Sequence, residues 1–296
     1  MPELRVIDYE GSKYSTEFWT PAREYEDRAE RIALKALLPA RGRRLIEIGA
    51  GAGRLGGLYL GYDEVVLMDY ARSTLIEARE RWGGDPRFVF VAADVYGLPF
   101  ADAASDTLVM VRVMHHLVDV PKALAQLAAT LRPGGTFVVE FANKRNLKSM
   151  LRYALRRQRG SPYTREPVEF VELNFDFHPA WMRDRIREAG FETRSERSVS
   201  LFRVGALKRL LGPKTLAALD GALQRPLAAL AISPSQFLKC QMPGAHASSV
   251  TSGEAARRLF KCPACGATEG SEAPDAWVCA NGHGWMKTDG VYDFKG

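Results

Sequence analysis

The chain has 296 residues, about twice the roughly 150 residues of an average domain, and this length excludes a single small core. Apolar residues make up 46% of it and charged residues 26%, which excludes a disordered or collagen-like protein. The formal net charge of +6 is too small at this length to indicate a nucleic-acid partner by itself.

The N-terminal region predicts a helix rather than a targeting segment. Residues 1–10 are rich in charged side chains and have no apolar stretch, so they do not resemble a secretory signal. No apolar run approaches the roughly 18 residues that would cross a bilayer. We therefore expect a soluble, cytoplasmic protein without a transmembrane segment. Thr20 followed by Pro21 is typical of a helix start and predicts a charged amphipathic helix over residues 21–38.

Residues 43–143 alternate short apolar, β-branched runs with helical patterns. The predicted strands are Leu45–Ile48, Glu64–Met68, Phe88–Val91, Thr107–Val111 and Thr136–Phe141. Helical patterns lie between them, at Ser73–Trp82 and Pro121–Leu131. Strands and helices that alternate in this way predict an α/β fold with a parallel sheet that is covered on both faces.

The basic charge is concentrated after this segment. From Phe141 to Lys214 there are 17 Lys or Arg and 8 Asp or Glu, a local excess of +9. Apolar residues at helical spacing between Leu147 and Leu155 predict an amphipathic helix. On another face of it we expect a cationic ridge formed by Lys148, Arg152, Arg156 and Arg159.

A glycine-rich loop follows the first strand and supports two interpretations. Glycines at a strand-to-helix turn let the backbone approach a ligand closely. Gly51, Gly53 and Gly56 satisfy the GxGxxG dinucleotide pattern and would fit a nicotinamide-dependent oxidoreductase. Counted from Glu47, the same segment is an acid followed by glycines at positions 49, 51 and 53. The glycines alone do not decide between the two.

Acidic residues at the ends of the next two strands help to decide between the two interpretations of the glycine-rich loop. Asp69 ends the second predicted strand, where a carboxylate can accept hydrogen bonds from ribose hydroxyls, and Asp94 ends the third. Further motifs follow, namely Leu98-Pro99-Phe100, Asp106, His115-His116-Leu117 and Leu131-Arg132-Pro133-Gly134-Gly135. With these motifs, residues 43–143 resemble the class I S-adenosylmethionine-dependent methyltransferases, and among them the broad group that includes ubiquinone and menaquinone methyltransferases.

The resemblance implies a Rossmann-like, doubly wound, mostly parallel sheet of seven strands and S-adenosylmethionine as methyl donor. It implies that Glu47, Gly49, Gly51 and Gly53 hold the methionine part of the donor. It further implies that Asp69 binds the ribose and that Asp94 and Val95 approach the adenine. A contact of Arg112 with the donor's carboxylate is a further expectation. The resemblance does not assign a catalytic base, but His115 and His116 are candidates because imidazole titrates near neutral pH.

Three of the four cysteines lie near the C-terminus. Cys262, Cys265, Cys279 and His283 have the spacing of a closed tetrahedral site and predict structural Zn²⁺. Cys240 lies outside this pattern, and we expect a buried, inert thiol there. The segment resembles the zinc ribbon of the 23S ribosomal RNA guanine-N1 methyltransferases and the small zinc-binding activator subunit of tRNA, ribosomal RNA and release-factor methyltransferases. A protein partner that docks on the ribbon is therefore an additional expectation.

The patterns predict a division into a methyltransferase domain (1–242), a Gly-, Ala- and Ser-rich linker (243–256) and a zinc ribbon (257–296). The first contains a cofactor-binding core (43–143) and a basic substrate-side region (144–214). For the methyl acceptor, RNA ranks slightly ahead of a small molecule, because the basic ridge could follow phosphates. A small metabolite or a lipid-like quinone is the alternative, with Phe170, Phe175, Phe177, His178 and Trp181 lining its pocket. A binding module without catalytic activity is a further alternative.

Overall fold

The five strands predicted from the central segment form the middle of one large sheet. In the computed structural model, residues 5–12, 18–244 and 258–295 are described. The strands of its first two thirds are β1 (Gly42–Ile48), β2 (Tyr62–Asp69), β3 (Phe88–Ala92), β4 (Ser105–Met110), β5 (Leu131–Ala142), β6 (Val168–Val171), β7 (Asn174–Asp176), β8 (Glu192–Val199) and β9 (Ser235–Gln241). The remaining strands are β10 (Gly270–Ala273), β11 (Ala276–Cys279), β12 (Gly284–Thr288) and β13 (Val291–Asp293).

Helices connect the strands and cover both faces of the sheet. They are α1 (Glu24–Leu37), α2 (Arg72–Trp82), α3 (Val120–Thr130), α4 (Leu147–Ala154), α5 (Pro179–Glu188) and α6 (Gly205–Leu223), the last kinked at Gly212. One apolar cluster contains residues of α1, α2 and α6, and a second contains residues of α3 and α5. The side chains of β1–β5 are shared between these two clusters. This explains why the strands have continuous apolar runs rather than a polar–apolar alternation.

The sheet has the order β3-β2-β1-β4-β5-β9-β8, and β10–β13 extend it beyond β3. Strands β1–β5 pair in parallel, whereas β9 is antiparallel to both β5 and β8. The predicted Rossmann-like α/β fold with a mostly parallel sheet is confirmed. The sheet differs from the predicted one because it continues to eleven strands instead of ending after seven.

The extension arises at the edge strand β3, whose outer side accepts a strand from the C-terminal segment. Strand β13 pairs with β3 in parallel, with Val291 opposite Phe90 and Asp293 opposite Ala92. Phe260, Trp277 and Phe294 of the same segment join the apolar cluster that contains α3 and α5. The described part of the C-terminal segment thus shares its core with the large sheet. Residues 245–256 of the predicted linker lie outside the described residues, so the domain boundaries remain predictions.

Two helices differ from the patterns that predicted them. The N-terminal helix begins with one 3₁₀ turn over Pro21–Arg23 and becomes α-helical at Glu24. Helix α4 is shorter than the predicted ridge requires, because Arg156 adopts a left-handed backbone with φ of 56°. The Arg157 N–H donates to the Arg152 carbonyl at 2.7 Å, an interaction that ends a helix. Arg156 and Arg159 therefore follow the helix instead of continuing the ridge on it.

None of the described helices combines the length and the apolar character that a segment spanning a bilayer needs.

Candidate active site and metal cluster

A cavity of about 320 Å³ opens at the carboxyl ends of the central strands. Its walls come from the loops that follow β1, β2, β3 and β4 and from the N-terminal segment. In doubly wound sheets this edge is the usual position of a ligand crevice, and the volume is within the range of small-molecule sites. The predicted site residues in its wall are Glu47, Gly49, Gly51, Asp69, Val95, Arg112 and His116.

The glycine-rich loop follows β1 with backbone angles that favour glycine. Gly49 has φ of 73°, and a Cβ there would lie 2.0 Å from Val113 Cγ2. Gly51 has φ of 52°, and a Cβ built on it meets nothing within 4 Å among the described residues. The loop therefore leaves open space beside the Gly51 backbone, which fits the close approach of a ligand. Gly53 lies behind the wall, where its carbonyl accepts a hydrogen bond from Trp82 Nε1 at 2.8 Å.

Asp69 ends β2 with its carboxylate held by backbone donors. Its Oδ2 accepts from the Gly51 N–H at 2.7 Å, and its Oδ1 accepts from the Ala71 N–H at 3.0 Å. Burial raises the pKa of Asp69, and these two hydrogen bonds oppose that rise. Each carboxylate oxygen has a second lone pair, so the group can still accept from a ligand hydroxyl. The arrangement fits the ribose contact that the resemblance implies.

Glu47 lies on β1 immediately before the loop and is fully buried. Burial raises the pKa of Glu47 to about 8, although the Arg54 guanidinium opposes this shift. Its Oε2 makes no well-aligned hydrogen bond within the described part of the chain, although the buried Tyr59 hydroxyl lies beside the carboxyl and also opposes the rise in its pKa. A buried polar atom without a partner is costly, and the Glu47 carboxyl lines the cavity. A bound ligand with a cationic donor group, such as the ammonium of S-adenosylmethionine, would satisfy that atom.

Asp94 and Val95 follow β3, as predicted, but only Val95 is among the residues that line the cavity. The Asp94 carboxylate accepts from the Tyr96 N–H at 2.9 Å and thereby caps the short 3₁₀ helix Val95–Gly97. The structure thus gives Asp94 a structural contact that the sequence did not predict. Its approach to an adenine remains a prediction.

Arg112 lines the cavity, but its guanidinium already contacts a carboxylate of the protein itself. Its Nε donates to Glu30 Oε1 at 2.8 Å, and Arg54 also pairs with Glu30, at 2.9 Å. Burial alone would raise the pKa of Glu30, yet the two guanidinium groups hold it below its usual value. The Arg112 N–H donates to Glu140 at 2.9 Å. This buried network fixes the floor of the cavity, while a contact of Arg112 with a donor carboxylate remains a prediction.

The two adjacent histidines occupy different environments. His116 lines the cavity, whereas His115 lies behind it, nearly fully buried, with an Nδ1 that has no partner among the described residues. Burial lowers the pKa of His116, although its contact with the Leu173 carbonyl opposes this shift. His116 Nδ1 lies 3.2 Å from that carbonyl oxygen, and His116 Nε2 lies 3.3 Å from the Tyr9 hydroxyl. A carbonyl only accepts, so Nδ1 carries the proton and Nε2 is a free base that accepts from Tyr9.

The N-terminal segment contributes wall residues that the sequence analysis missed. Val6, Ile7, Tyr9 and Trp19 line the cavity together with the glycine-rich loop. The Trp19 ring is covered by the Arg54 guanidinium, 3.7 Å from the ring centroid. An aromatic residue before the first helix is too common a feature to have predicted this role. The aromatic residues predicted to line a pocket, from Phe170 to Trp181, are not in this wall: Phe170 is exposed, and Phe177 stacks on Trp181.

The C-terminal segment brings the four predicted metal-binding residues together. The ligand atoms of Cys262, Cys265, Cys279 and His283 all lie within 4.8 Å of one another. Cys265 Sγ and Cys279 Sγ are 3.8 Å apart, and Cys279 Sγ lies 3.4 Å from His283 Nδ1. Zinc–sulfur bonds of about 2.3 Å in a tetrahedron place two sulfurs about 3.8 Å apart. The described residues therefore form a cluster whose donors and spacing fit a tetrahedral metal ion.

Outer hydrogen bonds orient two of these sulfurs. Trp285 Nε1 donates to Cys262 Sγ at 3.4 Å, and Asn281 Nδ2 donates to Cys265 Sγ at 3.3 Å. Such contacts commonly fix the ligands of metal sites. Cys240 lies far from this cluster in the sequence, on β9, where burial raises its thiol pKa to about 12. An un-ionised thiol in that position agrees with the expected inert role.

Comparison with known proteins supports the interpretation of the cavity. Residues 46–139 match the family described as "Methyltransferase domain". The chain is 33% identical over 115 residues to the demethylmenaquinone methyltransferase of Clavibacter sepedonicus, an alignment that covers 38% of this chain and 47% of that protein. It is 28% identical over 188 residues to a probable S-adenosylmethionine-dependent methyltransferase of Mycolicibacterium smegmatis, covering 63% of this chain and 66% of that protein.

A solved structure is similar over a longer stretch. The complex between the Haloferax volcanii Trm112 methyltransferase activator and a putative methyltransferase matches with a TM-score of 0.55 and 17% identity, covering 82% of this chain and 100% of that chain. At this identity the likeness establishes the fold alone.

Residues 46–139 thus match a methyltransferase domain, and similarity to an S-adenosylmethionine-dependent methyltransferase agrees with the predicted enzyme class. The chain spans just under half the length of the demethylmenaquinone methyltransferase that it matches.

Proposed function

We propose that the protein transfers the methyl group of S-adenosylmethionine to a largely apolar small molecule bound in the cavity. The observation that carries the proposal is that one cavity is lined by a glycine-rich loop, Asp69 and buried Glu47 together with His116 and Tyr9. Gly49 and Gly51 would hold the methionine part of the donor, Asp69 its ribose, and Val95 would lie beside its adenine. The methyl group of a sulfonium needs no further activation, so holding an acceptor in line supplies most of the catalysis.

His116 would accept the proton that the acceptor loses. Transfer of a methyl group to an O–H or an activated C–H forms the new bond to the methyl carbon, breaks the methyl–sulfur bond and releases one proton. The neutral Nε2 of His116 can accept it either directly or through the Tyr9 hydroxyl that now contacts it. The lowered pKa of His116 keeps the ring in its basic form at neutral pH. The position of His115 outside the cavity wall favours His116 as the base.

For the acceptor class, a quinone-like or other apolar ring compound agrees best with the cavity. Ile7, Trp19, Val113 and Leu117 contribute apolar surface to its wall. The demethylmenaquinone methyltransferase among the relatives acts on a quinone, as its name states. RNA, which the sequence analysis ranks slightly ahead on the basis of the basic ridge, becomes the second candidate and is still supported by the +9 excess between Phe141 and Lys214. The shortened helix α4 weakens it, because the predicted continuous cationic ridge is interrupted after Arg152.

The cysteine and histidine cluster would hold one structural Zn²⁺. Three soft thiolates and an imidazole are the donor set of closed zinc sites, and all four positions would be filled by protein atoms. Zinc there would join the segment before β10 to the connection between β11 and β12 and would take no part in methyl transfer. None of the four cluster residues is among the residues that line the cavity, so the metal ion would lie away from the reacting atoms.

The acceptor is tested by incubating the protein with methyl-labelled S-adenosylmethionine and, separately, with total RNA, a lipid extract and a pool of polar metabolites. The proposal expects label in the lipid extract, where apolar ring compounds partition. Label confined to RNA would replace the proposal by the second candidate. Absence of label from every fraction, together with binding of S-adenosylhomocysteine, would favour a module without catalytic activity.

A further inference from the structure

Helix α4 presents an apolar stripe to solvent. None of its residues is buried, and the side chains of Leu151 and Leu155, the latter directly after the helix, are 54% and 63% exposed. Leu147 shares this stripe and is exposed as well. Helices this short are marginal in water and normally gain their stability by burying an apolar face. Within the part of the chain that the structure describes, nothing buries this stripe.

The segment that contains the stripe is basic. Residues 144–165 contain eight Lys or Arg and no Asp or Glu, although Lys144 is buried and Arg165 pairs with Asp184 at 3.1 Å. Lys148 and Arg152 lie on the helix beside the leucines, and three arginines follow in the turn that ends it. The left-handed Arg156 reverses the chain at this point, and Gln158 Nε2 donates to Ser149 Oγ at 3.0 Å, so the segment with Arg157 and Arg159 runs back along the helix. A stripe of leucines flanked by cations is typical of helices that lie in the interface of an anionic membrane.

The neighbouring β6–β7 hairpin also exposes apolar side chains to solvent. All four residues of β6 are exposed, among them Val168, Phe170 and Val171. The rings of Tyr153 and Tyr163 pack edge to face with centroids 6.0 Å apart and join α4 to the segment that leads into this hairpin. At its turn, the Leu173 carbonyl contacts His116 in the cavity wall. The exposed hairpin therefore also reaches the candidate active site.

We propose that α4 and the β6–β7 hairpin form a docking surface for an anionic lipid bilayer. Lipid phosphates would pair with Lys148, Arg152 and the arginines after the helix, while Leu151, Leu155 and Phe170 would enter the acyl boundary. A nucleic acid offers phosphates but no apolar layer, so it leaves the leucines unexplained. A purely apolar protein groove, in turn, leaves Lys148, Arg152 and the arginines after the helix unexplained. This surface requires no particular methyl acceptor, so it stands apart from the proposed function.

Co-sedimentation of the full chain with lipid vesicles tests the proposal. We expect binding to phosphatidylcholine vesicles that contain phosphatidylglycerol to exceed binding to pure phosphatidylcholine by at least about tenfold, and to weaken as salt is raised. The double variant Leu151→Ser/Leu155→Ser should lose at least about tenfold in binding to the anionic vesicles. The matched control is Leu60→Ser, which replaces a leucine that is 49% exposed on a different part of the surface and should bind like the unmodified protein.

Two results would overturn the docking surface. One is equal binding to neutral and anionic vesicles, or anionic binding that the leucine variant retains. The other is binding of RNA that Lys148→Ala/Arg152→Ala abolishes and the leucine variant leaves unchanged, which would mark a nucleic-acid surface. Thermal melting and S-adenosylhomocysteine binding of each variant establish that the fold is intact, and neither readout depends on lipid.

Discussion

At the residue scale, burial of the Glu47 carboxyl destabilises the folded protein, and the same carboxyl is placed to contact a bound ligand. Its carboxyl is buried beside the cavity, and the raised pKa of about 8 reports how strongly the folded protein disfavours the charged form. A sequence analysis can select this acid from its position before the glycines. It cannot give the burial, because that depends on Tyr59 and on helix α1, which pack around the strand from elsewhere in the chain.

Replacing Glu47 with Gln should stabilise the protein without ligand in a pH-dependent way. The ordinary pKa of the unfolded side chain is about 4.3, so between that pH and about 8 the unfolded carboxyl is ionised while the folded one stays protonated. The unmodified protein therefore loses stability across this window, and the Gln variant does not. We expect the melting temperature of the Gln variant, relative to that of the unmodified protein, to rise by at least about 2 °C between pH 5 and pH 9. A constant offset at every pH would contradict the account.

The histidine pair offers a second test at this scale. His116→Gln should lower methyl transfer to the accepting fraction by about 100-fold or more, because a general base contributes at least that factor. S-adenosylhomocysteine binding, measured by calorimetry, should change little. Tyr9→Phe keeps the ring and removes the hydroxyl, so it separates a relay through Tyr9 from direct transfer to His116. Full activity of His116→Gln at pH 7 would exclude it as the base.

At the scale of elements, the central strands β1–β5 were predictable, and the strands added on either side of them were not. Strands β1–β5 have apolar runs because both of their faces are covered, and such runs stand out in a sequence. Strand β8 (Glu192–Val199) is an edge strand with mostly polar, partly exposed residues, so no apolar pattern indicates it. Strand β13 has only three residues, and its position depends on the open edge of β3, to which it is bound by long-range pairing.

The metal cluster should stabilise the large sheet as well as its own loops, because β13 joins the two. Cys262→Ser should reduce zinc from one equivalent per chain to less than half and lower the melting temperature of the main transition. Cys240→Ala is the matched control, since it removes a buried cysteine of β9 and should retain the full equivalent of zinc. Metal analysis of protein prepared without chelator, together with calorimetry, gives both readouts. Less than half an equivalent of zinc in the unmodified protein would contradict a structural site.

At the scale of the whole molecule, the fold class and the position of the cavity could be predicted from the sequence. The course of the basic segment and the packing of the C-terminal segment against the sheet could not. Alternating strands and helices fix a parallel sheet, and the loops after its strands must meet at one edge. The cationic ridge of Lys148, Arg152, Arg156 and Arg159 was predicted on one helix face, but the helix ends at Ala154 and Arg156 has a left-handed backbone. The C-terminal segment was predicted as a separate ribbon, yet its described residues share the core of the sheet. Both differences arise from contacts between residues distant in sequence or from a single backbone angle.

The central claim is that the cavity binds S-adenosylmethionine, and calorimetric titration with S-adenosylhomocysteine tests it most directly. We expect binding by the unmodified protein and by Asp63→Asn, which alters an exposed acid of the same strand. Asp69→Asn should weaken binding by about tenfold or more, since it removes a charge-assisted acceptor of the ribose hydroxyls. NAD should not bind. Binding of NAD without S-adenosylhomocysteine, or an Asp69→Asn variant that binds S-adenosylhomocysteine normally, would contradict the account.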